Sequence, residues 1–135
     1  MEPDARTFTR EEAEALLPEI DRLLAEAQNL AERLRGTERQ AQAEQSRARA
    51  NGQVRPGAAP AVSDAERRAI GAQLSTLLER IHDMGVVLRD IRAGLIDFPS
   101  PREGRIVYLC WRRGEPFEIR WWHEIDAGFA GRRPL

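Results

Sequence analysis

The chain has no lysine. All 21 of its basic residues are arginine, which excludes Schiff-base chemistry on a lysine amine and a phosphate loop of the kind that depends on one. Cysteine occurs once, as Cys110, so neither an internal disulfide nor a multi-cysteine zinc site can form. Histidine occurs twice, as His82 and His123, too few for a three-histidine centre. Any metal is therefore expected to take most of its ligands from carboxylates. An excess of one charge is also missing: the formal net charge is -1, so no global field favours nucleic acid or an anionic membrane. No apolar run approaches the roughly 20 residues of a membrane span, and the opening "MEPDARTFTR" lacks the apolar centre of a secretory signal. A cytoplasmic location is expected. With 135 residues, 41% of them hydrophobic, the chain suffices for one modest core, read as a single domain over 1–135.

What is present is periodic. Thr9 and Glu12 form a capping box, and Ala13, Leu16, Leu17, Ile20, Leu23, Leu24, Ala27, Leu30, Ala31 and Leu34 recur at three- and four-residue steps. This predicts an amphipathic helix over 9–35, with a bend at Pro18. From Gly36 to Ala50 no leucine, isoleucine, valine or aromatic occurs, and "NGQVRPGAAP" follows, so 36–62 reads as a polar, flexible insert. Ser63 and Glu66 repeat the capping signal, and Ile70, Leu74, Leu77, Leu78, Ile81 and Met84 give a second helix over 63–84, closed by Gly85.

Beyond Gly85 the pattern changes to short β-branched segments, with Pro99 to Gly104 read as a loop. "RIVYLCW" and "FEIRWW" across "RRGEP" predict a β-hairpin, with Arg113 and Gly114 at the turn and Tyr108 opposite Ile119. In that register Ile106, Tyr108, Cys110, Phe117, Ile119 and Trp121 make an apolar face for the helices. Val107, Leu109, Trp111 and Trp122 lie on the reverse, a surface suited to a partner. The expected fold is α+β: a long antiparallel two-helix hairpin packed on a small, mainly antiparallel sheet over 86–135, with a C-terminal β-hairpin.

Alternation places His123 with the inward set. A buried imidazole requires polar partners, since an unpaired ring nitrogen costs on the order of 1–3 kcal/mol. Glu19 on the first helix, Asp97 at a strand end and the adjacent Glu124 are the candidates, so His123, Glu19, Asp97 and Glu124 form a candidate set for a divalent ion such as manganese, iron or zinc. No HExxH or calcium-loop pattern supports it, and a structural histidine bonded to a buried carboxylate is the plainer alternative. Cys110, desolvated on its strand, reads as packing unless His123 adjoins it. Arg120 and Arg132 are candidates for a small anion, against a tail whose arginines pair with acidic groups. No serine lies in a nucleophile-elbow pattern.

The blocks "FTREEAEALLPEI", "GLIDFP", "YLCWRRGE" and "WWHEIDAGFAGRRPL" resemble a bacterial family, domain of unknown function 2203, over nearly the whole chain. The resemblance implies no defined activity. It directs attention to Glu19, Asp97, Cys110, Glu115, His123, Glu124, Asp126, Gly128 and Arg132. Two readings follow: a protein binding a metal ion or small anion at a polar site centred on His123, or a non-enzymatic interaction module, for example a homodimer. Nucleic acid is the weakest of the partners, and a membrane is not expected.

Overall fold

The computed structural model describes residues 6–50 and 63–135. The elements in order are helix α1 (Arg10–Ala50), helix α2 (Asp64–Asp83), and strands β1 (Val87–Asp90), β2 (Leu95–Arg102), β3 (Arg105–Arg112) and β4 (Trp121–His123). A 3-10 turn (Phe129–Gly131) and a short strand β5 (Arg133–Pro134) follow. All five strands form one antiparallel sheet in chain order. The architecture is α+β, as the pattern predicts. No described helix is long and apolar enough to cross a membrane.

The chain divides into two compact units, one ending at Gln28 and resuming at Leu77–Leu135, the other Asn29–Thr76. In the second, Leu30, Ala31 and Ile70 are buried. Here α1 runs on to Ala50, past the end at residue 35 that the apolar stripe predicts. The extension buries nothing large. It is written in good helix formers, alanine, glutamine, glutamate and arginine, and begins with Arg35 and Arg39 both paired to Glu32 at 2.7 and 3.2 Å. A hydrophobic stripe reports where a helix packs, not where it stops. The rest of the expected insert, 51–62, lies outside the described residues.

In the first unit the capping box is formed: Thr9 N–H donates to Glu12 Oε1 at 3.0 Å and Glu12 N–H to Thr9 Oγ1 at 3.1 Å. The Thr9 amide and hydroxyl hold the Glu12 carboxyl below its usual range. α1 continues through Pro18 and buries Ala13, Leu17, Ile20, Leu23 and Leu24. Its docking on the sheet is fixed at several points. Phe8 meets Phe98 edge-on at 5.2 Å, Phe8 N–H donates to Pro99 O, and Gln28 Nε2 donates to Ile91 O at 3.0 Å.

Because Phe98 faces the helix, so do its cross-strand partner Leu109 and the alternate positions Ile96, Val107 and Trp111, with Trp122 opposite Leu109. This reverses the expected sidedness. Val107, Leu109, Trp111 and Trp122 are core, buried within the chain, and are not available to a homodimer. The reversal comes from β2, whose large apolar residues Ile96 and Phe98 join the odd-numbered positions of β3.

Two further expectations are corrected. The segment from Pro99 is strand, and the tightest hairpin is β2–β3, closed at Glu103 and Gly104 with φ of 49° and 78°, the conformation that two-residue hairpin turns require. The β3–β4 pair is shifted by four residues: Tyr108 lies opposite His123 rather than Ile119. Pro116 carries no N–H for a ladder, its carbonyl is taken by Trp111 Nε1–H at 2.9 Å, and Ile119 N–H donates to Glu14 of α1 at 3.0 Å. Phe117 to Arg120 are therefore drawn off the sheet. An even shift preserves facing, so Trp121 and His123 remain on the side of Tyr108 and Cys110.

Gly94 marks a close approach. Its φ is +66°, and an added Cβ would lie 2.5 Å from Arg113 Cβ and 3.1 Å from Gln28 Nε2. Gly94→Ala is expected to lower stability by roughly 2 kcal/mol or more, through strain at positive φ plus the clash. Urea unfolding with an unchanged midpoint would contradict this.

Candidate metal centre

Asp97, Cys110 and His123 lie on the sheet face turned away from α1. Asp97 and Cys110 are directly opposed across β2–β3, and His123 enters from β4. Asp97 and His123 are each 2% exposed and Cys110 is 1% exposed. One ligand-type atom from each lies within 4.8 Å of the other two.

Hydrogen bonding orients the imidazole. Nδ1 lies 2.7 Å from the Glu124 backbone carbonyl, which can only accept, so Nδ1 carries hydrogen. Nε2, 2.9 Å from Asp97 Oδ1, faces the cluster. Asp97 Oδ2 accepts from Arg89 Nε at 2.8 Å. Arg89 owes its direction to an irregularity: the β1–β2 register slips between Leu88 and Asp90, and a residue in such a bulge re-aims its side chain. Its guanidinium lies over the Tyr108 ring at 4.8 Å. Burial, with the Asp97 charge adding to it, pushes the Cys110 thiol up to about 12. In the metal-free protein it is a neutral thiol and a poor nucleophile.

The segment after His123 covers this face. Ala127 N–H closes a turn on Glu124 O, and β5 pairs with β4. Arg132 fits between Trp121 and Phe129, 5.0 and 4.6 Å from their ring centres, and donates to both Glu115 carboxylate oxygens at 2.8 and 3.0 Å. Between this segment and the sheet lies a cleft of about 310 Å³, bordered by Arg89, Asp97, His123, Ile125, Asp126 and Phe129 among others.

Of the candidate ligands, the structure brings His123 and Asp97 together and leaves the other two elsewhere. Glu19 is 47% exposed on α1 and faces Arg80 at 3.7 Å; a pairing with His123 requires the imidazole to point toward the helices, and it lies on the opposite face of the sheet. The Glu124 carboxylate is bound to Arg105, which holds it below the usual range, and only its carbonyl serves the histidine. Arg120 is paired with Glu118 and Arg132 with Glu115, so neither presents a free cation. The residues underrated from sequence are Cys110, which alternation puts on the face of His123 but opposite Phe117 rather than near the imidazole, and Arg89, which no periodicity marks because a bulge aims it.

No curated protein and no solved structure matches the chain. The family model described as "Uncharacterized conserved protein (DUF2203)" matches residues 6–135, nearly the whole chain including all three clustered residues, and the protein belongs to that family.

Proposed function

We propose that the protein binds one zinc ion through Asp97 Oδ1, Cys110 Sγ and His123 Nε2. The observation that carries this reading is the convergence of the three buried donors around an imidazole whose Nδ1 is held by a backbone carbonyl. Metal-bound histidines are oriented in that way, with the free lone pair presented to the ion. Donors on a tetrahedral zinc stand roughly 3.3–3.7 Å apart, given bond lengths of about 2.0–2.3 Å. The separations here, at most 4.8 Å, require closure of roughly 1 Å, within reach of side-chain rotation. Thiolate, imidazole and carboxylate together suit zinc better than magnesium or calcium. Three protein ligands leave a fourth position, and Asp97 and His123 border the cleft through which water or a ligand would reach it.

A second reading rests on a different observation. Both Asp97 oxygens are already matched, at 2.8 Å to Arg89 and 2.9 Å to His123. With a proton on Nε2 the group is a metal-free ion network that ties three strands. Elemental analysis of protein purified without chelator or affinity metal separates the two. About one zinc per chain, and a thiolate-to-cobalt charge-transfer band after exchange, supports the metal site; no zinc and no such band leaves the ion network.

The affinity has a defined pH dependence. The metal-free thiol keeps its proton up to about pH 12, so binding must displace it throughout the neutral range, and affinity rises with pH. The expected slope is at least about tenfold per pH unit between roughly pH 6 and 8, set by the displaced thiol proton. Competition with a chromophoric chelator measures it, and a flat profile would exclude the thiolate as a ligand.

A further inference from the structure

The geometry points to a small, singly charged organic carboxylate with an apolar substituent as the ligand of this cleft, its carboxylate shared between the zinc and Arg89. The inference rests on the zinc reading and adds the class of molecule that the site takes.

Charge sets the first requirement. Zinc with one carboxylate, one thiolate and a neutral imidazole is formally neutral, so Arg89 is the cation beside the metal's open position, while Asp126 brings the cleft as a whole to neutrality. Arg89 spends only Nε on Asp97. Tyr108 is its other polar neighbour; among the described residues no second carboxylate pairs with it, and its side chain, 42% exposed, borders the cleft. The guanidinium carbon lies 4.8 Å from the Tyr108 ring centre, a cation–π contact that steadies it. A planar fork of donors beside a metal's open position matches a carboxylate. Asp126 on the same wall opposes a second negative charge, which disfavours a phosphate dianion.

The remaining wall sets the second requirement. Ile125 and Phe129, two of the few large apolar residues left exposed, border this same cleft, and Leu95 also lines it. Exposed apolar groups gathered at the rim of a charged cleft are where an apolar substituent gains burial. A volume of about 310 Å³ sets the scale at a small molecule rather than a peptide.

The test uses the full chain loaded with cobalt, titrated with benzoate, acetate and inorganic phosphate while the visible cobalt bands are followed. Benzoate is expected to shift the bands and to bind roughly tenfold or more tightly than acetate, with phosphate weaker than benzoate. Arg89→Leu is expected to keep cobalt and weaken both carboxylates. Because Arg89 also braces Asp97, Phe129→Ala is the second variant, expected to weaken benzoate toward acetate and leave acetate unchanged. Cobalt bound at one per chain with bands unmoved by millimolar benzoate overturns the carboxylate inference and leaves the zinc reading standing. Absence of cobalt binding, seen before any carboxylate is added, overturns both. Phosphate binding more tightly than benzoate overturns the choice of ligand.

Discussion

At the proposed zinc site, Cys110→Ala is expected to abolish metal binding and leave the fold intact. Zinc sites contribute apparent binding free energies of roughly 10–16 kcal/mol, so one ligand among three or four carries about 3–4 kcal/mol, and its loss lowers affinity by roughly a thousandfold. The cost to the metal-free fold is small by comparison, roughly 1 kcal/mol for one buried sulfur. The Asp97 bonds to His123 and Arg89 do not pass through the thiol. Elemental analysis beside a thermal melt therefore gives two independent readouts: zinc content falling to background, with a metal-free melting temperature within a few degrees of wild type. A variant that retains a full equivalent of zinc would remove Cys110 from the ligand set. His123→Ala is a less direct probe, because it also frees the Glu124 carbonyl and one oxygen of the buried Asp97.

Trp111→Ala is expected to have the largest effect on stability, roughly 3–5 kcal/mol, a large share of what a domain of this size possesses. Trp111 is among the largest fully buried side chains and lies on the sheet face that receives α1. Its indole N–H also holds Pro116 O at 2.9 Å, anchoring the segment that leads from β3 to β4. Trp111→Phe separates the two contributions, keeping most of the ring volume and giving up the hydrogen bond at about 1 kcal/mol. Chemical denaturation of both variants is the measurement. A Trp111→Ala loss below about 1 kcal/mol would contradict the sidedness of the sheet described above.

Much of this was legible in residue spacing. Both capping signals mark true helix starts at Arg10 and Asp64, because a cap is a local event. His123 is polar amid an apolar alternation, which marks it as needing polar partners, and Asp97 is one of the candidates that follow from the sequence. What failed depended on elements far apart in sequence. Which face of β3 meets the helix is decided by β2, so Tyr108 and Cys110 read as core when they are the reverse side, and Glu19 was matched to a histidine it does not face. The hairpin register failed because Ile119 N–H is claimed by Glu14, 105 positions earlier, and a turn rule contains no such competitor. The end of α1 failed for the opposite reason: intrinsic propensity and local ion pairs carry it beyond its last buried residue.

The tight β2–β3 hairpin also bears on how the site assembles. Asp97 and Cys110 are paired in register about a two-residue turn, contacts of short sequence separation whose closure has little loop entropy to overcome. Hairpins of this kind form in roughly microseconds. His123 must wait for the longer segment through Pro116 and Ile119, which is settled only against α1 at Glu14. Two donors are thus positioned early and the third arrives with the helix. On the proposed site, zinc capture during refolding should report the docking of α1 and β4 rather than the folding of the strands that carry Asp97 and Cys110.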